Sequence, residues 1–189
     1  IKRFGEREIR LLFALEQEKS QVFSFAYAKR LLRTSDASVK NVLMRLRKKR
    51  RLIQLQKGVY LFAPLKSGEM GLWTEDAFKI VPHLVNTNNY YIGFGAAMNY
   101  WGMTEQLPFT VMVALTRQKQ PLSAVQSKFI FVKKKRLGDF ESIHFGLEKV
   151  NFSTIEQTIL DCLSFPQYCA GLEGCAKAIH STKGWINWE

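Results

Sequence analysis

The sequence is short of histidine, proline and cysteine, and its acidic side chains are outnumbered by basic ones, 16 to 28. Each shortage excludes something. No apolar run approaches the roughly 18 residues needed to span a bilayer, and no charged-then-apolar opening resembles a signal peptide. The chain therefore reads as cytoplasmic, with no membrane association. It opens at Ile1 rather than Met and is expected to begin inside the native polypeptide. Cys162, Cys169 and Cys175 are an odd number in a chain without an export signal, which argues against a disulfide framework. A metal reading of Cys169 and Cys175 lacks a His or Cys pair at close spacing nearby, and His180 alone does not complete a four-ligand set. The expected state is buried, reduced thiols, with no metal and no cofactor.

What is abundant is cationic charge in one place. Residues 1–66 hold 17 Lys and Arg against 5 Asp and Glu, which accounts for the whole net charge of +12. Residues 67–189 hold 11 of each kind and are neutral. This distribution suits a cationic module joined to a neutral one, each with its own task. The small, polar stretch LKSGEMG, residues 65 to 71, reads as the linker. The expected domains are 1–66 and 67–189.

Helical periodicity appears three times before residue 51. GEREIRLLFALEQ places Ile9, Leu12 and Phe13 on one face. Ser24 is positioned to cap FAYAKRLLR, with Ala28, Leu31 and Leu32 inward. TSDAS breaks the pattern, and Thr34, Ser35 or Asp36 can cap a third helix carrying Val39, Val42, Leu43 and Leu46. At ~100° per residue these four cluster, while Ala37, Lys40, Asn41, Met44, Arg45 and Lys48 fall opposite. Arg50 would return to the apolar face, so the helix is expected to end near residue 48 or 49. RLIQLQKGVYLFAP then reads as a two-stranded hairpin turning at Lys57-Gly58 and stopped by Pro64.

Three short helices followed by a hairpin is the order of a winged helix–turn–helix, in which the third helix enters the DNA major groove. Lys and Arg neutralise phosphates and release counterions, whereas base edges need other chemistry. Asn41 suits adenine, Arg45 guanine, and an outward Met44 a thymine methyl. The candidate DNA-contacting residues are Ser38, Lys40, Asn41, Met44, Arg45, Lys48 and Arg51, joined by Gln56 and Lys57 at the hairpin. Arg47, Lys49, Arg50 and Arg51 suit phosphate contact or plain solvation rather than base reading. A basic helix face is more often solvated than functional. Here, however, the confined charge, the element order and an outward face mixing Asn and Met with cations coincide.

The neutral part reads as a separate α+β domain. TEDAFKIVPHLV looks helical, with Pro82 limiting or kinking its end. A short strand at 90–92, a Gly-bounded turn and a helix through Tyr100 follow. FTVMVALT, SKFIFVKKK and FESIHFG alternate as strands. STIEQTILDCL carries Ser153 and Glu156 at capping-box spacing and an apolar stripe of Ile155, Ile159, Leu160 and Leu163. A last helix is expected near 172–180. No catalytic residues are expected. A nucleotidyltransferase would need paired acids on the strand after its Gly turn, and TVMVALT has none. The Gly turn also lacks the Lys–Ser/Thr ending of a phosphate loop, and His83, His144 and His180 are scattered. KKKR at 133 to 136 reads as a solvated strand end, with contact to DNA or an acidic partner as the lesser reading.

Three stretches resemble the AbiEi-type abortive-infection antitoxin and transcriptional regulator family. LIQLQKGVYLF is similar to its wing, with Gly58-Val59-Tyr60. YYIGFGAAMNYWGMTEQLP resembles its strand, small residues and helix. FSTIEQTILDCLSFP resembles its helix with a Thr-hydrophobic-Leu-Asp core, here Thr158 to Asp161 before Pro166. KKRRL stands where the family often has a Gly after the recognition helix. The resemblance implies a winged-helix repressor that binds double-stranded DNA at its own promoter. It also implies a second domain opposing a partner toxin of nucleotidyltransferase type. Two competing readings are a protein-interaction module and an enzyme whose basic module recruits nucleic acid.

Overall fold

The computed structural model describes residues 3–18, 22–64, 77–106, 109–124, 126–145 and 148–186. The chain divides into two compact units, Ile1–Thr74 and Glu75–Glu189. The expected linker and the 66/67 boundary lie outside the described residues. The class is α+β, with one sheet in each unit. Among the described residues no helix is long and apolar enough to cross a membrane.

The first unit contains α1 (Glu6–Glu18), β1 (Val22–Ser24), α2 (Phe25–Leu32), α3 (Asp36–Lys48), β2 (Leu52–Gln56) and β3 (Val59–Phe62). Its core joins Leu11, Leu12 and Leu15 to Ala28 and Leu32 and to all four expected apolar residues of α3. The face of α1 differs from the sequence expectation. Glu8, Leu11, Leu12 and Leu15 are buried, while Ile9 and Phe13 are 42% and 59% exposed. Both sets have helical spacing. The inner set begins with an acid, which apolar periodicity does not count.

Caps follow the residue chemistry. Ser24 Oγ accepts from Tyr27 N at 3.1 Å, and Ser35 Oγ accepts from Ser38 N at 3.3 Å. The third helix ends at Lys48, and Arg50 takes a left-handed φ of 59°. β1 was not expected. It pairs antiparallel with β3, Phe23 opposite Tyr60, and makes a three-stranded sheet of order β1-β3-β2. β2 bulges between Gln54 and Gln56, and the buried residues of the strand are Leu52 and Leu55, with Ile53 half-buried. Gly58 turns the hairpin at φ 77°, where a side chain would be strained.

The second unit contains α4 (Ala77–Val85), β4 (Tyr91–Gly93), α5 (Phe94–Tyr100), β5 (Thr110–Leu115), β6 (Leu122–Ala124), β7 (Ser127–Lys133), β8 (Phe140–Phe145), β9 (Glu148–Ser153), α6 (Ile155–Ser164) and α7 (Gly171–Thr182). Pro82 lies within α4, which continues three residues past it. The sheet is mixed, of order β6-β7-β5-β4-β9-β8. β4 runs antiparallel to β5 and parallel to β9, and β5 runs parallel to β7. Strands β6 and β9 were not expected. Stacked and edge-on rings of Phe78, Tyr100, Phe145 and Phe152 join α4, α5, β8 and β9, with Tyr100 and Phe152 centroids 4.0 Å apart.

Three details of α6 correct the sequence reading. Thr154, not Ser153, is the N-cap, accepting from Gln157 N at 3.2 Å. Ser153 instead ends β9, fully buried, with its Oγ 2.7 Å from Thr158 Oγ1. The buried face is Thr158, Asp161 and Cys162, while Leu160 and Leu163 are about half exposed, 58% and 47%. Polar residues face inward because partners wait for them there. Cys162 and Cys169 form a disulfide, with Cα atoms 5.8 Å apart, and only Cys175 stays a free thiol. The turn at Pro166–Tyr168 folds Cys169 back beside α6, a closure that a residue count does not reveal.

Arg50 holds a backbone shape that L residues with a Cβ resist by about 1–2 kcal/mol. Arg50→Gly is therefore expected to raise stability by up to about 1 kcal/mol, the glycine's extra unfolded-state entropy offsetting part of the relief. Urea denaturation of the two chains measures it, and an unchanged or lower midpoint would contradict the strain.

Candidate nucleic-acid interface

The seam of α3 is Val39, Val42, Leu43 and Leu46, none more than 2% exposed. Its burial turns the opposite face outward. Lys40, Asn41, Met44, Arg45 and Lys48 are all exposed there, Met44 to 47%. A methionine side chain in water forgoes the stabilisation of burial, so its place among cations and an amide is unusual for a purely solvating surface. The outward direction expected of these five residues matches the helix geometry.

One buried acid fixes this face. Glu8 on α1 is 1% exposed and receives two cations, Arg45 from the last turn of α3 and Lys49 just past its end. Arg45 Nε donates to its Oε1 at 2.9 Å, and Lys49 Nζ donates to its Oε2. Gly5 N donates to Oε2 as well, at 2.9 Å. Burial pushes the Glu8 carboxyl upward, but the hydrogen bonds from Lys49, Gly5 and Arg45 outweigh it and hold the group below its ordinary value. The Arg45 side chain is still 53% exposed. Its guanidinium is held at one edge while much of it faces water.

The remaining candidates separate. Gln56 is half-buried and Lys57 exposed, both at the turn between β2 and β3. Ser38 is half-buried at the start of α3, and its Oγ accepts from Arg7 Nη1 at 2.6 Å. Arg51 does not belong to the outer face. It is 7% exposed, with Nη1 3.5 Å from Pro64 O, because the chain has left the helix and entered the hairpin at that point. Lys49, expected to be a phosphate contact or solvated, is also turned inward. Besides Glu8 it donates to Arg3 O at 2.8 Å and lies 4.7 Å from the Phe4 ring centroid. Sequence reasoning missed Arg7 and Glu8. The signal for Glu8 was present as an acid in register with Leu11, Leu12 and Leu15, in a module rich in cations.

The second unit has its own buried polar knot. Asp161 of α6 accepts from Tyr91 Oη at 2.6 Å, from Gln157 Nε2 at 2.6 Å and from Lys134 Nζ. Lys134 also donates to Tyr91 Oη at 2.8 Å. Burial, then the Asp161 carboxylate, pushes the Tyr91 hydroxyl well above its ordinary range, so it stays a donor. A Cβ at Gly138 would collide with the Gln157 amide. The four side chains satisfy one another and tie α6 to β4 and to the turn after β7.

No protein-family model matches the chain, and no curated protein matches it. Among solved structures, the crystal structure of the RV2827C protein from Mycobacterium tuberculosis is similar, with 15% sequence identity and a TM-score of 0.48. The match covers 71% of this chain and 47% of that one, so this chain spans about half the length of that relative. A likeness this remote carries no argument about function.

Removing the acid leaves Lys49 poorly solvated and without its carboxylate. Glu8→Ala is expected to destabilise the first unit by roughly 3 kcal/mol. Amide exchange at Val42 and Leu43 should then accelerate by about 100-fold if those amides exchange through unfolding of the unit. The same pair gives acid sensitivity. A carboxyl held low in the fold contributes stability that is complete above its ordinary value of 4.5 and lost as pH falls through its folded value. Acid unfolding of the Glu8→Ala chain should show less of that loss.

Proposed function

We propose that the chain is a sequence-specific DNA-binding transcriptional regulator whose reader is the outer face of α3. The carrying observation is the composition of that face. Lys40, Lys48 and Arg45 surround exposed Asn41 and Met44. The confinement of the +12 excess to the first third supports the same reading. So does the order of three helices, a hairpin and a short strand added to its edge, which is that of a winged helix–turn–helix.

Asn41 reads adenine through its amide, Met44 packs on a thymine methyl, and Arg45 reaches guanine from its anchored position. Lys40, Lys48 and Lys57 neutralise phosphates. The resemblance to AbiEi-type antitoxins extends the proposal. The regulator would act in the cytoplasm, repress its own promoter, and oppose a toxin of nucleotidyltransferase type through its second unit. No catalytic role is assigned to the chain.

Binding to a duplex from the chain's own upstream region is compared with a scrambled duplex, at about 50 and about 200 mM salt. Preference for the upstream duplex is expected, with a steep fall in affinity over that range. Asn41→Ala should cut the preference by about tenfold or more, the worth of one bidentate base contact. Lys48→Ala should weaken both duplexes alike and lower the salt slope by about one. Equal binding to both duplexes leaves a nonspecific polyanion binder, and no binding to either sends the basic face to a protein partner. Coexpression with the neighbouring gene tests the antitoxin extension. A neighbour that is not toxic, or whose toxicity is unrelieved, removes that extension alone.

A further inference from the structure

The three cysteines converge in the second unit. The Sγ atoms of Cys162, Cys169 and Cys175 all lie within 4.8 Å of one another. A fourth sulfur joins them, Met98 Sδ of α5, 3.3 Å from Cys162 Sγ. Cys162 and Cys175 are 1% and 2% exposed, and Met103, Ile159 and Ala178 pack against the group. Among the described residues no carboxylate or imidazole belongs to the group. We propose that the reduced form of this four-sulfur cluster binds one soft, thiophilic monovalent cation, Cu(I).

The donor set selects the ion. Thiolate and thioether sulfur in an apolar setting favours Cu(I) over hard cations. Zinc draws on cysteine, histidine and carboxylate, and a thioether is not among its usual ligands. The spacing is compatible. An ion with metal–sulfur bonds of ~2.3 Å in tetrahedral array holds its ligands roughly 3.8 Å apart. The linked pair must therefore part on reduction, while the third sulfur closes by at most about 1 Å. Separate elements carry the sulfurs: α5 holds Met98, α6 Cys162, the residue after the Pro166–Tyr168 turn is Cys169, and α7 holds Cys175.

Loading requires reduction first. The Cys162–Cys169 disulfide accepts two electrons and two protons from a dithiol, which itself closes to a disulfide, and two thiols result. Cu(I) then displaces thiol protons to water as the sulfurs bind. The disulfide form is thus the metal-free, oxidised counterpart of the same site.

The full chain is reduced under argon with a water-soluble phosphine, which takes the oxygen of water as the disulfide gains its electrons and protons. It is then titrated with Cu(I) supplied as its acetonitrile complex, against a chromogenic Cu(I) chelator. One equivalent is expected to stay with the protein. Cys175→Ser should lower the affinity by more than about 100-fold, beyond the loss typical of outer-shell changes. Met98→Leu nearly preserves core volume and should lower it by roughly tenfold, with unchanged far-ultraviolet circular dichroism. That second variant keeps the test sound if Cys175→Ser folds poorly. No copper retained by the reduced wild type overturns the proposal. So does equal retention by the Cys162→Ser/Cys169→Ser/Cys175→Ser chain. Retention of Zn²⁺ but not Cu(I) overturns the assignment of a soft monovalent ion.

Discussion

The Glu8 carboxylate, buried between Arg45 and Lys49, is the constraint on which the first unit turns. Apolar packing alone would accept more than one rotation of α1, because both the Leu11-Leu12-Leu15 face and the face carrying Ile9 and Phe13 are hydrophobic. A buried acid cannot accept either. It needs cations within hydrogen-bond reach, and α3 supplies them one turn apart. The leucine face therefore packs inward and Ile9 and Phe13 remain outside. The same bonds set the side-chain directions along α3. Lys49 is drawn off the surface and Arg45 is steadied at its edge, and the exposed group is left as Lys40, Asn41, Met44, Arg45 and Lys48.

The second unit repeats this logic with different chemistry. Asp161 faces inward on a helix whose leucines face out, and it does so because Tyr91, Lys134 and Gln157 converge on it. In both units one acid with several donors decides which side of a helix is the inside. Buried charges of this kind add modestly to stability compared with apolar packing, yet removing one partner is costly. Their effect is to discriminate between packings of similar apolar content.

What could be read from the sequence divides along that line. The four apolar residues of α3 recur at clean helical spacing, and a cap among Thr34, Ser35 and Asp36 and the stop near Lys48 follow from residue chemistry. Both were legible. The outward residues of α3 followed automatically, since the opposite of a known face is known. The faces of α1 and α6 were misread, because periodicity ranks apolar residues above acids and cannot see a partner far along the chain. Arg51 was placed with the cations of α3 for a similar reason. The helix stop near residue 48 or 49 was read, but the inward direction of a cation at the start of the hairpin was not. Strand β1, three residues long, and strand β9, which carries Asn151 and Ser153 inward, lack the pattern that marks a strand in isolation. The disulfide depends on a turn, Pro166–Tyr168, whose direction no count of cysteines contains.

The strand order of the second sheet has a consequence for biosynthesis. Central β4 needs β9 beside it, Ile92 opposite Phe152, and that partner is specified far along the chain. The first unit has its helices and hairpin complete by Phe62. Closing a long loop before any contact rewards it slows folding, and chains fold as they emerge, N-terminal part first. On a ribosome, the basic unit would be complete in sequence before any strand of the second sheet, which begins at Tyr91, had been made. The nascent chain would carry its cationic helix into solution before the neutral unit existed to accompany it.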